Sequence, residues 1–224
     1  MLCDHLWGTV VPGNQWLTCI GRLAFPIFAF LIVEGYTHTS NLRKYALRLF
    51  VFALISEIPF NLMMGSRLFF PIHQNVLWTF LIGLGLIRWN EKAKALPVWR
   101  RGIRLGASVL LGALAGTLTF ADYSGAGVLM VLTFYVFRQR KWWCLLGQIA
   151  VLYYINVEMI GGLGYEIELF GQVFWLSQQG LALLALIPIW LYRGRKGLST
   201  PAFRWICYGF YPAHMLLLAL IKML

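Results

Sequence analysis

The sequence predicts an all-α fold, a polytopic transmembrane helix bundle of about nine spans with its N-terminus in the cytoplasm. Three observations predict it. Of 224 residues, 60% are hydrophobic and only 12% charged, and the mean hydropathy is +0.71, a surface that a water-soluble domain of this size could not present. Apolar stretches near the roughly 20 residues needed to cross a hydrocarbon core recur along the whole chain. Lys and Arg alternate between connecting segments so that 15 of the 19 fall on one side, which the positive-inside rule makes the cytoplasmic one.

The first apolar stretch, residues 1–11, has no basic leader and no small-residue cleavage site, so it reads as the outer half of a span rather than a signal peptide. Eight longer stretches follow, at approximately 17–37, 45–64, 70–89, 103–121, 123–137, 142–160, 170–192 and 205–224. The basic loops hold Arg43 and Lys44, then Arg88 to Arg104, then Arg138, Arg140 and Lys141, then Arg193, Arg195, Lys196 and Arg204. Opposite them lie Arg67, Lys222, Asp122, Glu166 and Glu168. The formal charge of +11 is thus accounted for by topology, and no nucleic-acid partner is expected. Cys3, Cys19, Cys144 and Cys207 lack metal-ligand or redox spacing, so neither a metal nor a disulfide is expected. Residues 1–224 read as a single membrane domain. Gly83, Gly85, Gly106, Gly112 and Gly116 read as small residues that let membrane helices approach.

Ionisable groups at membrane depth cost at least a few kcal/mol each and are retained where they pair or line a cavity. The chain keeps Asp4, His5, Arg22, Glu34, Arg48, Glu57, Glu158 and His214 in its apolar stretches, and their spread over five helices suggests one converging polar site. A histidine in a low-dielectric cavity can take a proton from an incoming nucleophile, and a carboxylate can stabilise the imidazolium that forms. Neighbours on a helix point about 100° apart, so Asp4 either reaches the imidazole indirectly or pairs with Arg22 or Arg48. Pro26 predicts a kink. Arg22 and Glu34 lie roughly 18 Å apart along one helix, and an antiparallel neighbour would join Glu34 to Arg48 and Arg22 to Glu57. Pro59 closes SEIPFN, polar His73-Gln74-Asn75 opens the next span, and Pro212 stands beside His214 near mid-bilayer. Asp122 reads as a cap and Glu158 as a loop-facing carboxylate.

Taken in order, DH at 4–5, IGRLAFPIFAFLIVEGYTHT at 20–39, YALRLFVFALISEIPFN at 45–61, YRGRKG at 192–197 and FYPAHM at 210–215 resemble the TraX family over nearly the whole chain. The resemblance implies a polytopic acetyltransferase of the bacterial cytoplasmic membrane, whose named example acetylates a conjugative pilin N-terminus with acetyl-CoA. It also implies kinship with integral-membrane acyltransferases that use a first-span histidine. Carried over by motif, the family's positions fall on Asp4, His5, Arg22, Glu34, Ser56, Glu57, Pro59, Pro212 and His214, of which Asp4, His5, Arg22 and His214 are the implied catalytic residues. Glu34 and Glu57, and Asn75 from the polar run, are expected to bind substrate or brace helices. Family members carry a further dozen or so apolar residues before Asp-His, where this chain has three. The first crossing, roughly 16 Å long, is therefore expected either to begin upstream or to leave His5 at the floor of an incompletely walled cavity.

On this reading the acyl-CoA phosphates dock on Arg43, Lys44, Arg48, Arg193, Arg195 and Lys196, and His5 takes the proton as a peptide, glycan or lipid acceptor attacks the thioester. Asp4 stabilises the imidazolium and Arg22 faces the oxyanion. Two rivals remain open: a proton-coupled transporter or flippase, which should show inverted repeats, and a non-catalytic membrane partner of a pilus or secretion assembly.

Overall fold

A computed structural model describes the chain apart from Phe170, Arg195, Lys196, Leu198, Ser199 and Leu224. In chain order it contains α1 (Leu2–Thr9), α2 (Gln15–Gly21), α3 (Ala24–His38), α4 (Leu42–Gly65), α5 (Val76–Glu91), α6 (Val98–Leu118), α7 (Ser124–Val136) and α8 (Trp142–Tyr153). The last continues as a π-helical segment, Tyr154–Ile160. An antiparallel hairpin of β1 (Gly164–Leu169) and β2 (Gln172–Ser177) follows, then a 3₁₀ segment, Gln179–Ala185, that runs into α9 (Leu186–Leu191), and finally α10 (Pro201–Met223). Four segments, Gln15–His38, Leu42–Gly65, Trp142–Ile160 and Trp205–Met223, are long and apolar enough to cross a membrane, with shorter apolar helices at Ser124–Val136 and Gln179–Leu191. The protein is therefore a polytopic helical membrane protein in outline.

The expected span at 170–192 is corrected. Its first part is the second strand of the hairpin and only its second part is helical, so the predominantly helical bundle carries a two-stranded hairpin. The physical reason is local. Gly161 at φ +60 and Gly162 at φ +101 stop the preceding helix and Gly171 at φ +76 turns the chain, conformations that favour glycine. Between them GYEIEL and QVFWLS carry the aromatic and β-branched residues that suit a pleated ribbon. Summed hydropathy cannot separate such a run from a helix. The expected span at 70–89 also starts late, because Asn75 caps α5 by accepting a hydrogen bond from the Leu77 amide at 3.1 Å.

At the kink in Gln15–His38, Pro26 lacks an amide proton and its ring presses on the carbonyl four residues back. That carbonyl belongs to Arg22, and the helix breaks at Arg22 and Leu23. The break places a charged residue at an interruption of a buried helix.

The core is centred on α7, whose residues from Gly125 to Phe134 are nearly all buried, against Phe25 and Val33 of α3, Phe80 and Leu84 of α5, and Leu152 and Ile155. A second cluster joins Phe60 and Met63 of α4 to Met215, Leu218 and Ala219 of α10. Helices α6 and α7 touch through glycine. A Cβ on Gly116 would lie 2.5 Å from the Ser124 carbonyl oxygen, and one on Gly125 would lie 2.5 Å from that of Ala113. Gly83 and Gly112 are also tight, whereas Gly85 and Gly106 face open space and need another explanation than close packing. Gly125→Val should therefore cost at least about 1–3 kcal/mol through overpacking and lower the detergent-solubilised melting temperature, while Gly106→Ala leaves it unchanged.

Both ends of the bundle are stitched by polar contacts. At one, Arg140 donates to the carbonyls of Ile189 (3.1 Å), Trp190 (2.5 Å) and Tyr192, where a cation suits the exposed end of α9. At the other, Asp122 accepts from the adjacent Tyr123 amide at 3.1 Å and lies 3.3 Å from His73 Nε2, and Gln74 pairs with Ala121. The cap expected of Asp122 is not made: Tyr123 stands at the N-cap of α7 and no side chain caps it.

Candidate functional site

The half-length α1 carries Asp4 and His5 next to α2 and α10, and the two side chains diverge. Asp4 accepts hydrogen bonds from Arg22 Nη2 at 2.5 Å and Thr18 Oγ1 at 2.8 Å. Close approach makes this possible, since a Cβ on Gly21 would fall 2.5 Å from Asp4 Cβ. Arg22 also donates through Nε and Nη2 to Thr18 Oγ1 (3.2 and 2.7 Å) and through Nη1 to Gln179 Oε1 at 3.1 Å. Gln179 donates onward to Asn156 Oδ1 at 2.9 Å. Four of the five guanidinium N–H groups are thereby engaged among the described residues, and Tyr123 lies beside the same guanidinium.

His5 turns the other way. Its Nδ1 lies 2.8 Å from His214 Nε2, and His214 Nδ1 lies 2.7 Å from the Phe210 carbonyl oxygen. A carbonyl can only accept, so His214 Nδ1 carries the proton; in the neutral ring Nε2 then accepts, and His5 Nδ1 donates to it. His5 is left with an unprotonated Nε2, which makes no hydrogen bond among the described residues.

That nitrogen belongs to a side chain lining a polar cavity of about 350 Å³ walled by Asp4, His5, Trp7, Arg22, Asp122 and Tyr123 together with Phe60, Met64 and Ile160. His214 lines a separate apolar cavity of about 290 Å³, between Phe28, Leu31, Ile32, Tyr45, Leu49, Phe52, Leu77, Phe80, Tyr208 and Tyr211. The hydrogen-bonded histidine pair thus puts one ring on the wall of each cavity.

Of the sequence-nominated residues, the fold brings Asp4, His5, Arg22 and His214 into one neighbourhood, joins Glu57 to Asn75 elsewhere, and keeps Glu34 and Arg48 apart from both. The expected Glu34–Arg48 and Arg22–Glu57 bridges do not form. Glu34 lies 3.8 Å from His38 on its own helix, Arg48 sits 6.0 Å from the Tyr45 ring centroid, and Arg22 is paired with Asp4. The reason is packing: α4 lies mainly against α10 and α5, while α3 lies mainly against α7, so α3 and α4, though consecutive, each turn most of their packed surface to other helices. Asp4 is likewise not the partner of the imidazole; His214 holds that place.

Glu57 and Asn75 form a second polar cluster. Glu57 Oε2 accepts from Asn75 Nδ2 and from Trp78 Nε1 at 3.0 Å, while Asn75 donates to the Ala53 carbonyl at 2.9 Å. The cluster clamps α4 to the N-terminus of α5, where negative charge is favoured. Glu57→Gln keeps one acceptor oxygen and should retain the native melting temperature to within about 1 kcal/mol, whereas Glu57→Leu strands two buried donors and should cost about 2–3 kcal/mol. Thermal melting in detergent distinguishes the two.

Among the docking candidates, Arg43 and Lys44 are exposed at the start of α4, Arg43 facing Arg88 across a surface cleft. Arg48 lines a different cleft with Trp205 and Tyr208. Arg193 is exposed, and Arg195 and Lys196 lie outside the described residues. Sequence reasoning missed Thr18, Asn156 and Gln179, all buried, because uncharged residues inside apolar runs attract no attention; the only signal was an amide pair in a stretch of poor helical character. A π-helical segment, which carries Asn156 here, often marks a functional position.

Comparison with known proteins follows the same pattern. Protein TraX of Escherichia coli is 30% identical over 137 residues, covering 60% of this chain and 50% of that protein. Protein TraX of Escherichia coli strain K12 is 29% identical over 133 residues, covering 58% and 49%. These matches span about half the length of those two relatives. A probable fimbrial assembly protein, FimC of serogroup H1 from Dichelobacter nodosus, is 26% identical over 238 residues, covering all of this chain and 91% of that one. No solved structure matches. The family model described as TraX protein matches residues 1–222, and the chain belongs to the TraX family.

Proposed function

We propose that this protein is a membrane-embedded acetyltransferase of the bacterial inner membrane that moves an acetyl group from acetyl-CoA to an amine, such as a pilin-like peptide N-terminus, or to a hydroxyl. The observation that carries the reading is the His5–His214 pair, which leaves a free imidazole nitrogen on the ring that lines the polar chamber while its partner ring lines the apolar one. The names of the relatives, a TraX protein and a fimbrial assembly protein, favour a pilus-type peptide acceptor over a glycan or lipid one.

In the proposed step the acceptor enters the polar chamber and the thioester the apolar one. The acceptor nitrogen attacks the thioester carbonyl carbon, so that a C–N bond forms and the C–S bond breaks with its electron pair leaving on sulfur. His5 Nε2 takes the acceptor proton and returns it to the thiolate, yielding acetylated acceptor and CoA thiol. His214 Nε2 accepts from His5 Nδ1–H throughout, the orienting role an acid residue plays in other triads. Arg22, on the wall of the polar chamber, is the charge available to the developing oxyanion. In this reading the basic loops face the cytoplasm, which turns the donor side toward cytoplasmic acetyl-CoA.

Radiolabelled acetyl-CoA, titrated onto the purified chain in lipid nanodiscs with a peptide amine, tests the reading. Saturable binding with thiol release and label transfer is expected. Absence of both would leave the non-catalytic assembly partner, and label-independent proton or lipid movement would indicate a transporter.

A further inference from the structure

We propose that the stacked rings of Phe52 and Tyr208 form a gate, and that the cleft outside it, marked by Arg48 and Trp205, holds the nucleotide end of the acyl thioester. The proposal rests on the acyl-transfer reading and gives its donor a route. A surface cleft of about 520 Å³ carries Arg48, Phe52, Trp205 and Tyr208, and the apolar chamber beneath His214 also carries Phe52 and Tyr208. Among the described residues these two alone line both spaces, and their rings stack at 4.8 Å between centroids and 23° between planes. The wall between cleft and chamber is therefore one pair of side chains.

The helices explain the arrangement. Arg48 and Phe52 are four residues apart on α4 and share a face. On α10, Trp205, Tyr208, Tyr211 and His214 recur every third residue, a ladder roughly 14 Å long at 1.5 Å per residue that leads from the cleft to the base. Pro212 cannot donate to the carbonyl four residues back and its ring crowds it, and that carbonyl is Tyr208's. The helix can bend at the residue that forms the gate.

The lining chemistry selects the occupant. Arg48 has no ion pair among the described residues, and its planar fork matches a phosphate. Trp205 is 69% exposed beside it and offers a face on which a nucleobase stacks. Past the gate the walls are apolar and narrow, suited to a thin thioester arm and not to a nucleotide. A carrier with a phosphorylated nucleoside at one end and a thioester at the other fits both compartments.

The test compares acetyl-CoA with acetyl-pantetheine, which keeps the arm and lacks the nucleotide, on the full chain in nanodiscs with a peptide amine. Arg48→Gln and Trp205→Ala should each raise KM for acetyl-CoA about tenfold with kcat kept, and leave KM for acetyl-pantetheine unchanged. Arg48→Lys, which keeps the charge and loses the fork, should fall between. Phe52→Trp, thickening the gate, should lower kcat/KM for both donors alike. A structural role would move both donors together in every variant. Unchanged acetyl-CoA KM in Arg48→Gln and Trp205→Ala, with wild-type turnover intact, overturns the cleft assignment alone. A wild-type chain that turns over neither donor overturns the acyl-transfer reading and the cleft with it.

Discussion

Replacing His5 with alanine should lower acetyl transfer by about 10²- to 10⁴-fold, the range typical of a positioned general base, while the melting temperature and acetyl-CoA binding stay near wild type. The expectation follows from geometry. Of the paired rings, His5 supplies the imidazole nitrogen that hydrogen bonding leaves unprotonated and without a partner among the described residues. His214→Ala should be damaging too, because it removes the acceptor that fixes the His5 tautomer. His214→Gln, which can place a carbonyl oxygen near the position of Nε2, should recover part of the loss. Residues that act as one unit are not additive, so His5→Ala with His214→Ala should be no worse than His5→Ala alone. Rates of thiol release and label transfer in the four proteins read this directly. Full turnover by His5→Ala would end the catalytic assignment, and additive losses would separate the two histidines.

The second large effect is on stability. Arg22 and Asp4 have side chains only 18% and 22% exposed, and removing one partner of such a pair leaves a charge in low dielectric. Arg22→Met should cost about 3–5 kcal/mol and lower the melting temperature in detergent, with acetyl transfer falling as the polar chamber loses its wall. Asp4→Asn combined with Arg22→Gln should be milder than Arg22→Met, since neither partner is then a stranded ion. Gln179→Leu should reproduce part of the Arg22→Met effect through the lost 3.1 Å contact. If Asp4→Asn instead abolished transfer and left the melting temperature untouched, the carboxylate would be acting on the reaction rather than on the helix pair.

The membrane character of the chain and most helix positions were legible because hydropathy and basic-loop asymmetry are one-dimensional properties. Pro26 announced the break that presents Arg22. The hairpin at Gly164–Ser177 was not legible, because an apolar run of that length satisfies a helix and a strand equally until Gly162 and Gly171 adopt positive φ. Of the ion pairs, Asp4–Arg22 stood among the expected pairings and forms, whereas the Glu34–Arg48 and Arg22–Glu57 bridges do not. Matching Glu34 to Arg48 assumed that successive helices pair face to face, yet α3 packs mainly against α7 and α4 mainly against α10.

By itself, then, the sequence determined that this protein lives in lipid, that it belongs with the motifs of one family, and that Asp4, His5, Arg22 and His214 are costly residues with a reason to stay. Only the tertiary structure decided which of them meet. Asp4 and His5 are adjacent in the chain and turn to different partners because a helix rotates about 100° per residue. His5 and His214 lie 209 positions apart and share a hydrogen bond because α1 is folded against α10. Pairing across a bundle depends on which helices become neighbours, and that is settled by the packing of whole faces rather than by any local run of residues.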